Sequence, residues 1–159
     1  MLYEYDLATS TYSVKVTFGG SFGKWPCAGL TLHNGKIYGT AAGGGANDAG
    51  TLFVYTPAGN GFQKLYDFSP AQGEHPRATL VVFNNKLYGT TNMGGAPDGN
   101  GVLYSYNLGT GVYTKHHEFK SPGGNYPMAS LAILNNKFYG TTWRGAMYMM
   151  AVCCMNTIR

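Results

Sequence analysis

A five-residue phrase recurs about every fifty residues: Lys36-Ile37-Tyr38-Gly39-Thr40, Lys86-Leu87-Tyr88-Gly89-Thr90 and Lys137-Phe138-Tyr139-Gly140-Thr141. A period of that length marks supersecondary units stacked on copies of themselves, each burying a neighbour's apolar face. One core around one catalytic centre leaves no such trace. Before each phrase stand an aromatic residue and a proline, as Trp25-Pro26, His75-Pro76 and Tyr126-Pro127, counting His as aromatic. A leucine follows four residues after each proline (Leu30, Leu80, Leu131), and then a turn dipeptide: Asn34-Gly35, Asn84-Asn85 or Asn135-Asn136.

Each copy reads as four strands. Residues 78–83 are rich in Val, Leu and Phe and suit a buried strand. The Asn-Gly and Asn-Asn pairs accept the positive φ angles of a two-residue hairpin turn. Residues 86–91 form the returning strand, 102–106 a third, and 113–119 a fourth with Tyr113 and Phe119 expected on one face. Aromatics stand seven residues apart across the last turn: Tyr5 and Tyr12, Tyr55 and Phe62, Tyr106 and Tyr113. No window has helical periodicity, and no apolar run is long enough to span a membrane.

The chain is therefore all-β. Four short antiparallel strands in each unit are the pattern of a β-propeller blade, and kelch-type repeats have about this length. A β-sandwich would not repeat so faithfully, and the coils of a β-solenoid are shorter. Residues 1–146 supply strands three and four of one blade, two full blades, then strands one and two of a last. That is about three blades, where rings ordinarily close with four to eight. An incomplete ring, an open arc, or a six-bladed ring completed by a homodimer is expected.

The segments Tyr88-Gly89-Thr90-Thr91-x-x-Gly94-Gly95 and Gly101-Val102-Leu103-Tyr104 resemble the Gloeobacter/Verrucomicrobia ("GloVer") repeat, and the resemblance covers residues 1 to about 146. It implies an exported bacterial repeat protein, secreted or at the cell surface, and it brings no established catalytic residues. No charged-then-apolar leader precedes Met1, so the native gene is expected to extend beyond one or both ends.

Residues 147–159 break the pattern, holding four of the seven Met and two of the three Cys. Read two bases out of frame, the codons of Met147–Thr157 spell Val-Tyr-Asp-Gly-x-x-Leu-Tyr-Glu-Tyr wherever Tyr is taken over His. That restores the run Leu2-Tyr3-Glu4-Tyr5, so the tail reads as a frameshift product. Cys153 and Cys154 are accordingly not read as a metal or redox site, and Cys27 alone makes no disulfide framework.

The formal charge of +4 comes from scattered cations, several of them lysines beside hairpin turns (Lys36, Lys86, Lys137). A nucleic-acid binder would gather its basic groups on one face, so none is expected. No metal or cofactor is expected either. Asp48 and Asp98 come one to a loop, too few oxygens for calcium, and are read as turn caps. His116 and His117 alternate across a strand and cannot share a metal. The glycine-rich loops lack the spacing and following helix of a phosphate cradle.

In a propeller the aromatic-proline loops and the Gly-Gly loops open on the same face. Trp25, His75, Arg77, Asn92, Asp98, Tyr126, Trp143 and Arg144 are therefore the expected ligand-binding residues. Flat aromatics beside polar groups suit a carbohydrate or a protein segment. Glu74, beside His75, is the one candidate general acid or base. The expected function is a non-enzymatic binding scaffold. The rivals are a fragment of a polysaccharide hydrolase or lyase using Glu74 and His75, and a truncated product without function.

Overall fold

The computed structural model describes residues 1–95 and 98–145 and the backbone of 155–158. The described strands are β1 Leu2–Asp6, β2 Thr11–Val16, β3 Thr31–His33, β4 Lys36–Ala41, β5 Thr51–Thr56, β6 Gly61–Asp67, β7 Glu74–Pro76 and β8 Val81–Phe83. They continue as β9 Lys86–Met93, β10 Val102–Asn107, β11 Tyr113–Glu118, β12 Asn125–Pro127, β13 Ala132–Leu134, β14 Lys137–Arg144 and β15 Met155–Ile158. No α-helix occurs among the described residues. Four antiparallel sheets follow one another: β1-β2, then β3-β4-β5-β6, then β7 and β8 side by side on β9 with β10 and β11, and last β12 and β13 on β14 with β15. The tail 147–159 otherwise lies outside the described residues. Its one described stretch, the β15 backbone, pairs with β14 at the place where β5 pairs with β4.

The hairpin dipeptides behave as their chemistry dictates. Asn34 and Gly35, Asn84 and Asn85, Asn135 and Asn136 all take positive φ, from 47° to 69°. Each lysine of the refrain then opens the returning strand, opposite His33, Phe83 or Leu134.

The glycine of the refrain is fixed by a close approach. Gly39 pairs with Phe53, and Gly89 with Tyr104, and the third-strand ring lies across the glycine Cα. A Cβ at Gly39 would stand 2.5 Å from Phe53 Cζ, and one at Gly89 would stand 2.7 Å from Tyr104 Oη and 2.9 Å from Leu80 Cδ2. Leu131 closes on Gly140 in the same way, at 2.9 Å. The refrain, the leucine before it and the aromatic after it are thus one packing unit, which is why they recur together.

Every third strand also meets its fourth through a bulge at the same place. The register slips between Leu2 and Tyr3, between Leu52 and Phe53, and between Leu103 and Tyr104, leaving Lys15, Leu65 and His116 as the extra residues. The slip reverses the expected facing of Tyr113 and Phe119. Tyr113 stacks on Tyr66 of the preceding sheet, ring centroids 4.3 Å apart and planes 2° apart. Phe119 turns the other way, into a cluster with Leu131 of the following sheet.

Successive sheets bury their apolar residues on each other. Leu2 and Val16 meet Tyr55; Tyr38, Leu52, Val54 and Phe68 meet Leu80, Leu87, Val102 and Tyr104; Leu103 and Phe119 meet Leu131. The seam between sheets rests on a glycine and a proline. Gly50 and Gly101 hold φ of 110° and 100°, and Pro76 and Pro127 of the next repeat lie on them, with Cδ 2.7 and 2.9 Å from where a Cβ would be. One residue to either side, His75 N–H donates to Ala49 O at 2.8 Å and Tyr126 N–H to Asn100 O at 2.9 Å.

Here the structure corrects the sequence reading. Two of the three aromatic-proline segments are the short strands β7 and β12, paired with the far halves of β9 and β14, not loops; beside Trp25 there is an isolated bridge, Lys24 with Gly43. Within them His75 and Tyr126 sit in left-handed backbone, φ 54° and 58°, as does Trp25 at 56°.

Replacing Gly89 by Ala drives a methyl into Tyr104 and Leu80 and is expected to cost about 1–3 kcal/mol in urea unfolding. Gly59→Ala, at a site with nothing within 4 Å, is the control and should change stability little.

Candidate functional site

A groove of about 570 Å³ lies where the third and fourth sheets meet. Arg77, Asn92 and Met93 line it from the third sheet, and Tyr126, Met128, Trp143 and Arg144 from the fourth. The seam described above creates it. Left-handed φ at Tyr126 carries its ring toward the end of β14, where the Arg144 guanidinium lies over it, 5.9 Å from the centroid. The same guanidinium lies 4.9 Å from the Trp143 ring, and the two rings meet edge to face at 6.4 Å. Trp143 is 59 % exposed, whereas Asn92 is buried at 7 %. A wide aromatic surface therefore stands open, flanked by cations and an amide.

The previous seam shows that the fold does not require this furniture. Register pairing makes Lys24 opposite Gly43, Glu74 opposite Met93 and Asn125 opposite Arg144 equivalent positions. Ala42 and Gly43 thus stand where Asn92 and Met93, or Trp143 and Arg144, stand later, and Cys27 stands where Arg77 does. Between the second and third sheets the residue equivalent to Tyr126 bonds back to the chain. His75 Nδ1 lies 2.7 Å from Ala42 O.

The remaining sequence-predicted residues lie elsewhere. Trp25, 64 % exposed, lays its ring over Gly43, whose Cβ would meet it at 2.7 Å. His75 serves the earlier seam. Asp98 is exposed in the turn before β10 and does not line the groove. Met93 and Met128, half exposed in the groove, carried no sequence signal beyond their departure from the repeat.

Glu74 borders a separate concavity of about 450 Å³ with Pro70, Ala71 and the Gly94-Gly95 backbone, and Met93 divides it from the groove. Glu74 Oε2 is 3.8 Å from His75 Nε2, and among the described residues no other carboxylate lines that concavity. The electrostatics elsewhere are structural. Lys24, 3.1 Å from Asp48 Oδ1, and the Gly44 N–H, at 3.0 Å, hold the Asp48 carboxyl below its ordinary 3.8. Among the described residues no group of three or more His, Cys, Asp or Glu is placed to hold a metal. No described helix is long and apolar enough to cross a membrane. His116, the bulge residue, stacks on Tyr88 at 5.8 Å and lies 2.8 Å from Ser105 Oγ, while His117 turns to Phe119.

The model of the Gloeobacter/Verrucomicrobia repeat matches residues 1–152. The chain belongs to that repeat family. Among curated proteins none matches it.

Burial, and then the Lys86 charge, hold the His116 pKa below its ordinary 6.5. The unfolded chain takes up this proton first as pH falls, so the stabilisation is complete above 6.5 and is lost on the acid side. Melting temperature should therefore decline as pH falls from about 7 to about 5, and His116→Gln should flatten that decline.

Proposed function

We propose that the chain is a non-enzymatic repeat segment, built as blades of a β-propeller-type array, which binds carbohydrate in the groove between its third and fourth sheets. The observation that carries this reading is the contrast between seams: Arg77, Asn92, Trp143 and Arg144 line this one, where the seam before it holds Cys27, Ala42, Asn92 and Met93 at the equivalent positions. A sugar presents an apolar ring face and a polar edge. The exposed indole suits the face, while the Asn92 amide and the arginines suit the edge. About 570 Å³ is room for a short oligosaccharide. Among the described residues Glu74 is the one carboxylate of its concavity, without the second that glycoside hydrolysis generally uses, which favours binding over turnover.

The blade arrangement draws support from repetition of one interface. In the third sheet Tyr104 and Tyr113 stack at 5.3 Å and are covered by Tyr66 and Phe68 of the sheet before. In the first sheet Tyr3 and Tyr12 stack at 5.4 Å in the same positions, 62 % and 56 % exposed. That face suits a further blade, from the same array or from a second copy completing a ring. An exported, cell-surface setting is the one the family resemblance implies.

Calorimetric titration with neutral and acidic oligosaccharides tests the reading. Trp143→Ala is expected to weaken binding about tenfold or more while leaving unfolding unchanged. Trp25→Ala, equally exposed but outside the groove, should bind as the parent does. Undiminished binding by Trp143→Ala would sink the assignment.

A further inference from the structure

Among the described residues the groove is lined by two cations and no anion. Arg77 comes from the third sheet and Arg144 from the fourth, and none of the other lining residues is acidic. Five of the seven acidic side chains have cationic or histidine neighbours elsewhere: Glu4 with Lys15, Asp48 with Lys24, Asp67 with Lys64, Glu118 with Lys115, and Glu74 beside His75; Asp6 accepts from the Ala8 N–H, and Asp98 is exposed in a turn outside the groove. Among the described residues no carboxylate pairs with either arginine of the groove. Both arginines are exposed. They line one groove from its two sides, where the seam one repeat earlier holds Cys27 and Met93.

The way Arg144 is held sharpens the point. Its guanidinium rests on the Trp143 and Tyr126 rings, 4.9 and 5.9 Å from their centroids. The two rings, their planes 62° apart, hold the cation from two directions, and none of the described side-chain hydrogen bonds takes its N–H groups, which are left for a ligand. A planar fork of donors fits a carboxylate with two parallel hydrogen bonds, which a hydroxyl cannot match. Contact with both rings also fixes the side chain beforehand, so less rotamer freedom is lost when the ligand arrives. The indole beside it remains exposed for a sugar face.

We infer that the groove recognises a carboxylate-bearing sugar, a uronate-type acidic glycan, with Arg144 and Arg77 holding the acid group and Trp143 the adjoining ring. This rests on the carbohydrate reading of the groove and adds the charge of its ligand.

The test is calorimetric titration of the full chain with tetragalacturonate, its methyl ester, a neutral cello-oligosaccharide and a poly-glutamate peptide. Tetragalacturonate should bind, and the ester and the neutral sugar should bind about tenfold more weakly or worse. Binding should weaken as sodium chloride rises. Arg144→Gln and Arg77→Gln should each lower affinity for tetragalacturonate toward that of the ester, and Arg144→Lys should fail to restore it. Far-ultraviolet circular dichroism confirms that each variant is folded.

Equal binding of acid, ester and neutral sugar would overturn the acidic-ligand inference and leave the carbohydrate reading standing. Binding of poly-glutamate without any sugar would overturn both in favour of an acidic protein partner. Absence of binding to all four probes would overturn both as well.

Discussion

The contact on which the rest depends is a proline laid against a glycine of the preceding repeat. Pro76 on Gly50 and Pro127 on Gly101 bring consecutive sheets so close that no side chain fits between, and φ near 100° bars any residue with a Cβ from relaxing there. The backbone bonds beside it, His75 to Ala49 and Tyr126 to Asn100, set the next strand at a fixed height. A left-handed residue between two such constraints carries a strain of about 1–3 kcal/mol that the surroundings must hold. Its side chain is consequently aimed by the fold rather than by its own preferences. Tyr126 reaches the groove, and His75 the Ala42 carbonyl, for this one reason.

Sequence carried the architecture wherever a residue's role depends on type alone. The Asn-Gly and Asn-Asn turns, the refrain glycine beneath an aromatic ring, and the leucine beside it each demand one chemistry, so each column repeats. The bulge escaped notice because it demands none. Lys15, Leu65 and His116 share no property, since the extra residue of a bulge needs only room. The strands β7 and β12 escaped for the opposite reason, because proline reads as a strand breaker. Pro76 and Pro127 occupy edge positions of their sheets, where no ladder hydrogen bond needs their missing N–H.

The candidate site was legible only in part, and the physical reason is instructive. Repetition collected Trp25, His75 and Tyr126 as one set, yet equal register does not give equal surroundings. Trp25 lies on a bare glycine, His75 bonds a carbonyl, and Tyr126 meets a guanidinium. What distinguishes them is the residue opposite, in the column of Gly43, Met93 and Arg144. A three-dimensional pairing defines that column, so Met93 and Met128 gave no warning in one dimension. Their signal was departure from the repeat, which becomes readable only once the register is known.

In a repeat fold, then, sameness and difference carry separate information. The buried columns must stay alike because each copy packs on the next through the same surfaces: Gly39 and Gly89 under their rings, Phe68 against Tyr104, Phe119 against Leu131. The columns at the seam mouth take no part in that packing and can change without loss of the fold. Ala42 and Gly43 show that the mouth can be almost empty, and Trp143 and Arg144 that it can be crowded. Stability and recognition are thereby assigned to different positions of one unit. A groove can be altered at one seam while its neighbour stays plain, because the glycine and proline beneath hold the two sheets at the same spacing in either case.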